Sequence, residues 1–121
     1  MRYMMYTIGD DSVPTPPPSP ELMAEMGKFM DEVTKAGVLV ATGGFAPSSQ
    51  GVTVRLSDGG YAVTDGPYAE SKELIGGWAL VQVASTTEAI DWTKRFLQVA
   101  GGGESRIRQV FGPEDFGPDG Q

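Results

Sequence analysis

Neither cysteine nor histidine occurs anywhere in the 121 residues. Their absence excludes Ser-His and Cys-His nucleophile pairs, disulfides, and ligation of zinc, haem or iron–sulfur clusters through those side chains. Basic residues are also scarce: 9 Lys and Arg against 16 Asp and Glu give a net charge of −7. A phosphate backbone or an anionic membrane surface is held by clustered Lys and Arg, so neither nucleic acid nor membrane is expected as a partner. Long apolar runs are missing as well. The longest, about Leu74 to Val81, is interrupted by Gly76-Gly77 and falls well short of the roughly 20 residues a membrane helix needs. The N-terminus reaches Gly9-Asp10-Asp11 too early for a signal-peptide apolar region, which makes a cytoplasmic location the expectation. What is present suits one packed domain: 40% of the residues are hydrophobic and 9% aromatic, too apolar for a chain kept unfolded by charge.

The pattern along the chain alternates strands and helices. Arg2 to Ile8 is a short Tyr/Met/Ile run with apolar groups on both faces, expected as a strand covered on two sides. The Pro-rich stretch from Val13 to Pro20 reads as an extended connector; its PxxP spacing lacks the flanking basic residue of an SH3 ligand. Ser19 as N-cap, Pro20 at the first helical position, Lys35 in the last turn and Gly37 beyond frame a helix of about Pro20 to Ala36. Its apolar stripe is Leu22, Met26, Phe29, Met30 and Val33, with the methionines filling a core and holding no soft metal. Val38 to Phe45 reads as a strand. The alternating runs 52–56 and 61–64, joined through Asp58-Gly59, read as a tight hairpin. Gly76 to Val83 is a further strand, Ser85-Thr86-Thr87-Glu88 a capping box opening a helix to Ala100, and Arg106 to Phe111 the last strand. The acidic, Gly/Pro-rich segment 112–121 is expected to be a partly disordered tail following a domain of residues 1–111.

This order describes an α+β, ferredoxin-like βαββαβ sandwich with an inserted hairpin. Both helices then cover one sheet face, and the opposite face, bearing Trp78 and Leu80, exceeds the apolar patch a monomer ordinarily exposes. A homodimer packed face to face about a two-fold axis, forming a dimeric α+β barrel, is the economical solution.

Chemistry-bearing patterns are few. Gly101-Gly102-Gly103 follows a helix where a dinucleotide fingerprint follows a strand, and the carboxylate pairs lack the alternating spacing of a calcium loop, so no cofactor and no metal is expected. Asp65 ends a strand before Gly66-Pro67. Pro67 has no N–H, which leaves the carboxylate either to accept from the N–H of Tyr68 in the manner of a cap or to face a ligand. Tyr68, Lys72 and Arg108 are candidates to join Asp65 around a pocket at the barrel mouth, with Tyr6 and Trp78 lining a cleft.

The stretch Asp65-Gly66-Pro67-Tyr68-Ala69-Glu70-Ser71-Lys72-Glu73, followed by Gly76-Gly77-Trp78, resembles the DGPF signature of the YCII-related family, with Tyr68 in place of Phe. Arg2-Tyr3-Met4 is similar to the family's Lys-Tyr-Met opening, and Gly43-Gly44-Phe45-Ala46-Pro47 to its Gly-x-Leu-x-Pro segment. The resemblance spans about Met1 to Phe111 and implies a dimeric α+β barrel. It also implies a setting beside an extracytoplasmic-function sigma factor in bacteria, hence regulation. Related members carry a His and Asp as a catalytic pair; with no His here, that pair does not carry over. Three functions stand after this reading: a small-molecule-binding or regulatory module using the barrel cavity, a cofactor-independent isomerase, dehalogenase or oxygenase with Asp65 as catalytic base, and a purely structural dimer that contacts another protein through its acidic face.

Overall fold

In the computed structural model, residues 1–9, 17–66 and 74–116 are described. Strand β1 (Arg2–Gly9) leads to helix α1 (Pro20–Lys35), then β2 (Leu39–Gly44), β3 (Val52–Ser57), β4 (Gly60–Asp65), β5 (Leu74–Gln82), helix α2 (Thr86–Ala100) and β6 (Ser105–Val110). Short 3-10 turns occupy Ser48–Gln50 and Pro113–Phe116. Strands β2, β5, β1 and β6 lie side by side in that order in an antiparallel sheet. The first and third of its strands in chain order sit at the centre, the order of a ferredoxin-like α+β fold. Strands β3 and β4 form a separate two-stranded sheet.

Local chemistry accounts for the helix ends. The Ser19 side chain accepts from the Leu22 N–H at 3.1 Å, and the Ser85 side chain accepts from the Glu88 N–H at 3.2 Å. Glu88 returns the favour by accepting from the Ala84 N–H at 2.9 Å, which completes the capping arrangement around α2. Gly101 ends α2 in the left-handed region, where its amide donates to the Leu97 and Gln98 carbonyls. At the tip of the β3–β4 ribbon, Asp58 (φ 51°) and Gly59 (φ 80°) both have positive φ, the requirement of the two-residue turn that matches strand twist.

The core forms between the helix pair and one face of the four-stranded sheet. Tyr3, Phe29, Val33, Val38, Val81 and Ala89 are buried there, with Met5, Trp92, Phe96 and Ile107 packed against them. The Tyr3 hydroxyl lies 2.9 Å from Thr86 Oγ1, so the polar end of a ring that is only 3% exposed is satisfied. Alternation places Met4, Tyr6, Trp78 and Leu80 on the other face, where Met4 pairs across to Leu80 and Tyr6 to Trp78. Arg106 and Arg108, the register partners of Tyr6 and Met4 on β6, share that face.

The strand expected from Gly76 begins two residues earlier, at Leu74. Its register against β1 shifts between Tyr6 and Ile8, where Gly76-Gly77 stand opposite Thr7 and the Gly77 N–H donates to Thr7 Oγ1 at 2.8 Å. The paired glycines therefore lie within the strand as a bulge and do not open it. No helix among the described residues is long and apolar enough to cross a membrane.

Candidate functional site

A cavity of about 120 Å³ lies between the sheet and the helix pair. Strand β1 contributes Met5 and Thr7, α1 contributes Phe29, Met30 and Val33, and α2 contributes Trp92 and Phe96. Leu39, Thr42, Ala79 and Val81 supply the remaining wall from β2 and β5. Each helix puts these residues on the face its apolar spacing defines, so the stripe that forms the core also forms the cavity. Gly43 and Gly77 both line the wall, and a Cβ on Gly77 would come within 3.6 Å of Thr7 Oγ1. A Cβ on Gly43 would stand 3.0 Å from the Trp78 indole, so the absence of a side chain there lets the indole lie against β2.

Among the described residues, none that lines the cavity is charged. The hydroxyls of Thr7, Thr42 and Ser105 lie at the wall and each is bonded: Thr7 Oγ1 accepts from the Gly77 N–H and Thr42 donates to the Trp78 carbonyl, both at 2.8 Å, and Ser105 donates to the Tyr6 carbonyl at 3.2 Å. Such a surface offers dispersion contacts, aromatic faces and two Met thioethers, and little to hold an ion.

The seam between the helices is crossed by an ion pair. Arg95 on α2 donates to the Glu32 carboxylate on α1, and its guanidinium lies 5.3 Å from the Phe29 ring centre and 5.1 Å from that of Trp92. Two rings of the cavity wall thus carry a cation on their outer side, an attraction between guanidinium charge and ring quadrupole. The hydrogen bond from Arg95 holds the Glu32 carboxyl below its ordinary value and raises the guanidinium in turn. Neither Glu32 nor Arg95 stood out in the sequence, since a pair 63 positions apart has no local signature.

The residues singled out from the sequence do not converge on one place. Tyr6 and Trp78 border the cavity, but alternation turns their side chains to the sheet face away from the helices. Arg108 is exposed on β6, on the sheet face turned away from the helices, and is not part of that lining. Asp65 is exposed at the end of β4, opposite Val52, also away from the cavity. Tyr68 and Lys72, and with them the capping alternative for Asp65, lie outside the described residues. Gly66 has a role that motif matching did not suggest. Its amide donates to the Gly51 carbonyl at 2.7 Å, and a Cβ would fall 1.8 Å from the Ser48 carbonyl oxygen, so the start of the motif pins the ribbon to the loop before β3. No group of three or more acidic side chains able to hold a metal occurs among the described residues.

A ferredoxin-like α+β domain with an uncharged, aromatic-walled cavity beneath its helices is thus the class of protein the geometry defines. The chain belongs to the YCII-related domain family, whose model matches residues 1–111. It is also 31% identical over 97 residues to an uncharacterised protein of Rhizobium meliloti (strain 1021), a match covering 78% of each chain.

Proposed function

We propose that this YCII-related protein, of the DGPF type, binds a small apolar molecule in the cavity beneath α1 and α2. We further propose that it does so as a homodimer closed over the open sheet face. The observation that carries the binding function is the cavity itself: about 120 Å³, walled by Phe29, Trp92, Phe96 and the Met5 and Met30 thioethers, with no charged group in the lining among the described residues. An apolar cavity of roughly 150 Å³ stays dry and admits benzene, so a single uncharged ring is the scale of ligand that fits. Binding is favoured over acid–base catalysis because Asp65, the carboxylate proposed as base, stands exposed on β4 and away from this wall. A regulatory role beside an extracytoplasmic-function sigma factor is the setting in which such a ligand would act as a signal.

Titration with benzene, toluene and indole, followed through amide shifts of Val33, Ala79 and Phe96, tests the proposal. Saturable shifts that vanish in Ala79→Leu, which fills the wall, are expected. Absence of any saturable shift in the unaltered protein up to the solubility of the three probes would overturn it.

A further inference from the structure

We propose that the β3–β4 ribbon is an intersubunit arm that lays its apolar side on a second copy of this chain, beside the partner's open sheet face. The docking presupposes the homodimer proposed above and names the segment that crosses between the copies.

The ribbon has two unlike sides. Register pairs Val52 with Asp65, Val54 with Val63 and Leu56 with Tyr61, and alternation puts all six side chains on one side. Thr53, Arg55, Ala62 and Thr64 take the other. The apolar side is bare: Val54 is 64% exposed, Leu56 62%, Tyr61 76% and Val63 66%. A half-buried strand pair alternates in this way because one side is meant to be covered, and an isolated two-stranded ribbon is marginal without such cover. Among the described residues the ribbon is hydrogen-bonded as a sheet only to itself, anchored at its root by the Gly66 to Gly51 bond.

Area and charge point to a second copy as the cover. A side chain of this size carries on the order of 100 Å² of apolar surface, so the ribbon offers roughly 300 Å² per copy. The open sheet face, with Met4, Tyr6, Trp78 and Leu80 only half-buried, offers a similar amount. A stable dimer takes about 800 Å² from each partner, which neither surface reaches alone and the two together approach. The surfaces also differ in sign. Asp65 is the one charged member of the ribbon's apolar row, whereas Arg108 stands on the open face of a chain whose net charge is −7. Acidic and apolar on the arm, basic at the β6 edge of the partner's open face, the two complement each other beside the face-to-face contact, and a two-fold axis makes the exchange reciprocal.

The test uses the full chain and its dimer dissociation constant from sedimentation equilibrium. Val54→Asp/Val63→Asp places two charges on side chains already exposed in one copy, so the fold of each copy is expected to keep its far-ultraviolet spectrum while the dissociation constant rises on the order of 100-fold. Because the chain has no cysteine, Val63→Cys/Arg108→Cys is expected to oxidise to a covalent dimer faster than either single variant. An unaltered protein that is monomeric would overturn the dimer itself. A dimeric protein whose ribbon variant keeps the same dissociation constant, or whose double-cysteine variant crosslinks no faster than the single ones, would overturn the arm and leave the dimer standing.

Discussion

Replacing Gly66 with alanine isolates the contact at the root of the ribbon. The φ of Gly66 lies outside the left-handed region, so any cost comes from space and not from backbone strain. The added Cβ would meet the Ser48 carbonyl oxygen at 1.8 Å, the Ser48 carbonyl carbon at 3.0 Å and the Gly51 oxygen at 3.1 Å. All three are backbone atoms of the turn over Ser48–Gln50 and its flank, and none can rotate away as a side-chain tip would. Relief requires the ribbon root and that turn to separate by more than an ångström, which removes the 2.7 Å bond from the Gly66 amide to Gly51. Overpacking of this kind costs about 1–3 kcal/mol and a lost hydrogen bond about 1 kcal/mol, for a total of roughly 2–4 kcal/mol. At about 4 °C per kcal/mol for a chain of this size, the melting temperature should fall by roughly 8–16 °C. Differential scanning calorimetry would measure the fall, with amide exchange at Gly51 and Gly66 reporting whether the damage starts at the root. Gly27→Ala is the control: it sits inside α1 with nothing within 4 Å of the added Cβ, and should stabilise by about 0.5–1 kcal/mol. A Gly66→Ala protein melting within 2 °C of the unaltered one would refute the contact.

Two further outcomes are expected. Glu32 is held below its ordinary value of 4.5 by the hydrogen bond from Arg95, so its folded pKa lies beneath the unfolded one. The stability it contributes is then present above about pH 4.5 and lost as pH falls through the folded value; the gap in melting temperature between the unaltered protein and Glu32→Gln should be constant from pH 5 to 7 and close toward pH 3. A gap independent of pH would show that the carboxylate charge is not what Arg95 engages. Asp65, exposed at the end of β4, should tolerate Asn with an unchanged melting temperature, whereas Ala should cost about 1 kcal/mol if the side chain accepts a capping N–H bond. Equal stability of the Ala and Asn variants would remove the cap.

The parts of this fold legible in the sequence are those fixed by neighbours in the chain. Ser19 and Ser85 cap from within three residues, Gly101 ends its helix in place, and Asp58-Gly59 turns the ribbon by its own φ angles. What escaped depends on distant partners. The bulge at Gly76-Gly77 exists because Thr7, 70 positions earlier, accepts the Gly77 amide, and nothing near the glycines announces it. The cavity escaped for a similar reason: Phe29, Trp92 and Phe96 wall it only once both helices pack on the sheet, whereas Tyr6 and Trp78 turn their side chains to the opposite sheet face. The motif at Asp65-Gly66 was legible as a signature, and the part of it that is described acts in packing through Gly66.

The central position of β1 has a consequence for the newly made chain. Its first residues wait for the last: Arg2 pairs with Gln82 on one side and with Val110 on the other. At about 5–20 residues per second, a ribosome needs several seconds to deliver β5 and longer for β6. The β3–β4 ribbon, whose ends are thirteen positions apart, can close in about 1–10 microseconds once released. Until β5 emerges, therefore, Tyr3, Met4, Met5, Tyr6 and Ile8 are an apolar segment without either of its strand partners. That is the interval in which a chaperone, or a second nascent chain on the same message, would find this protein most receptive.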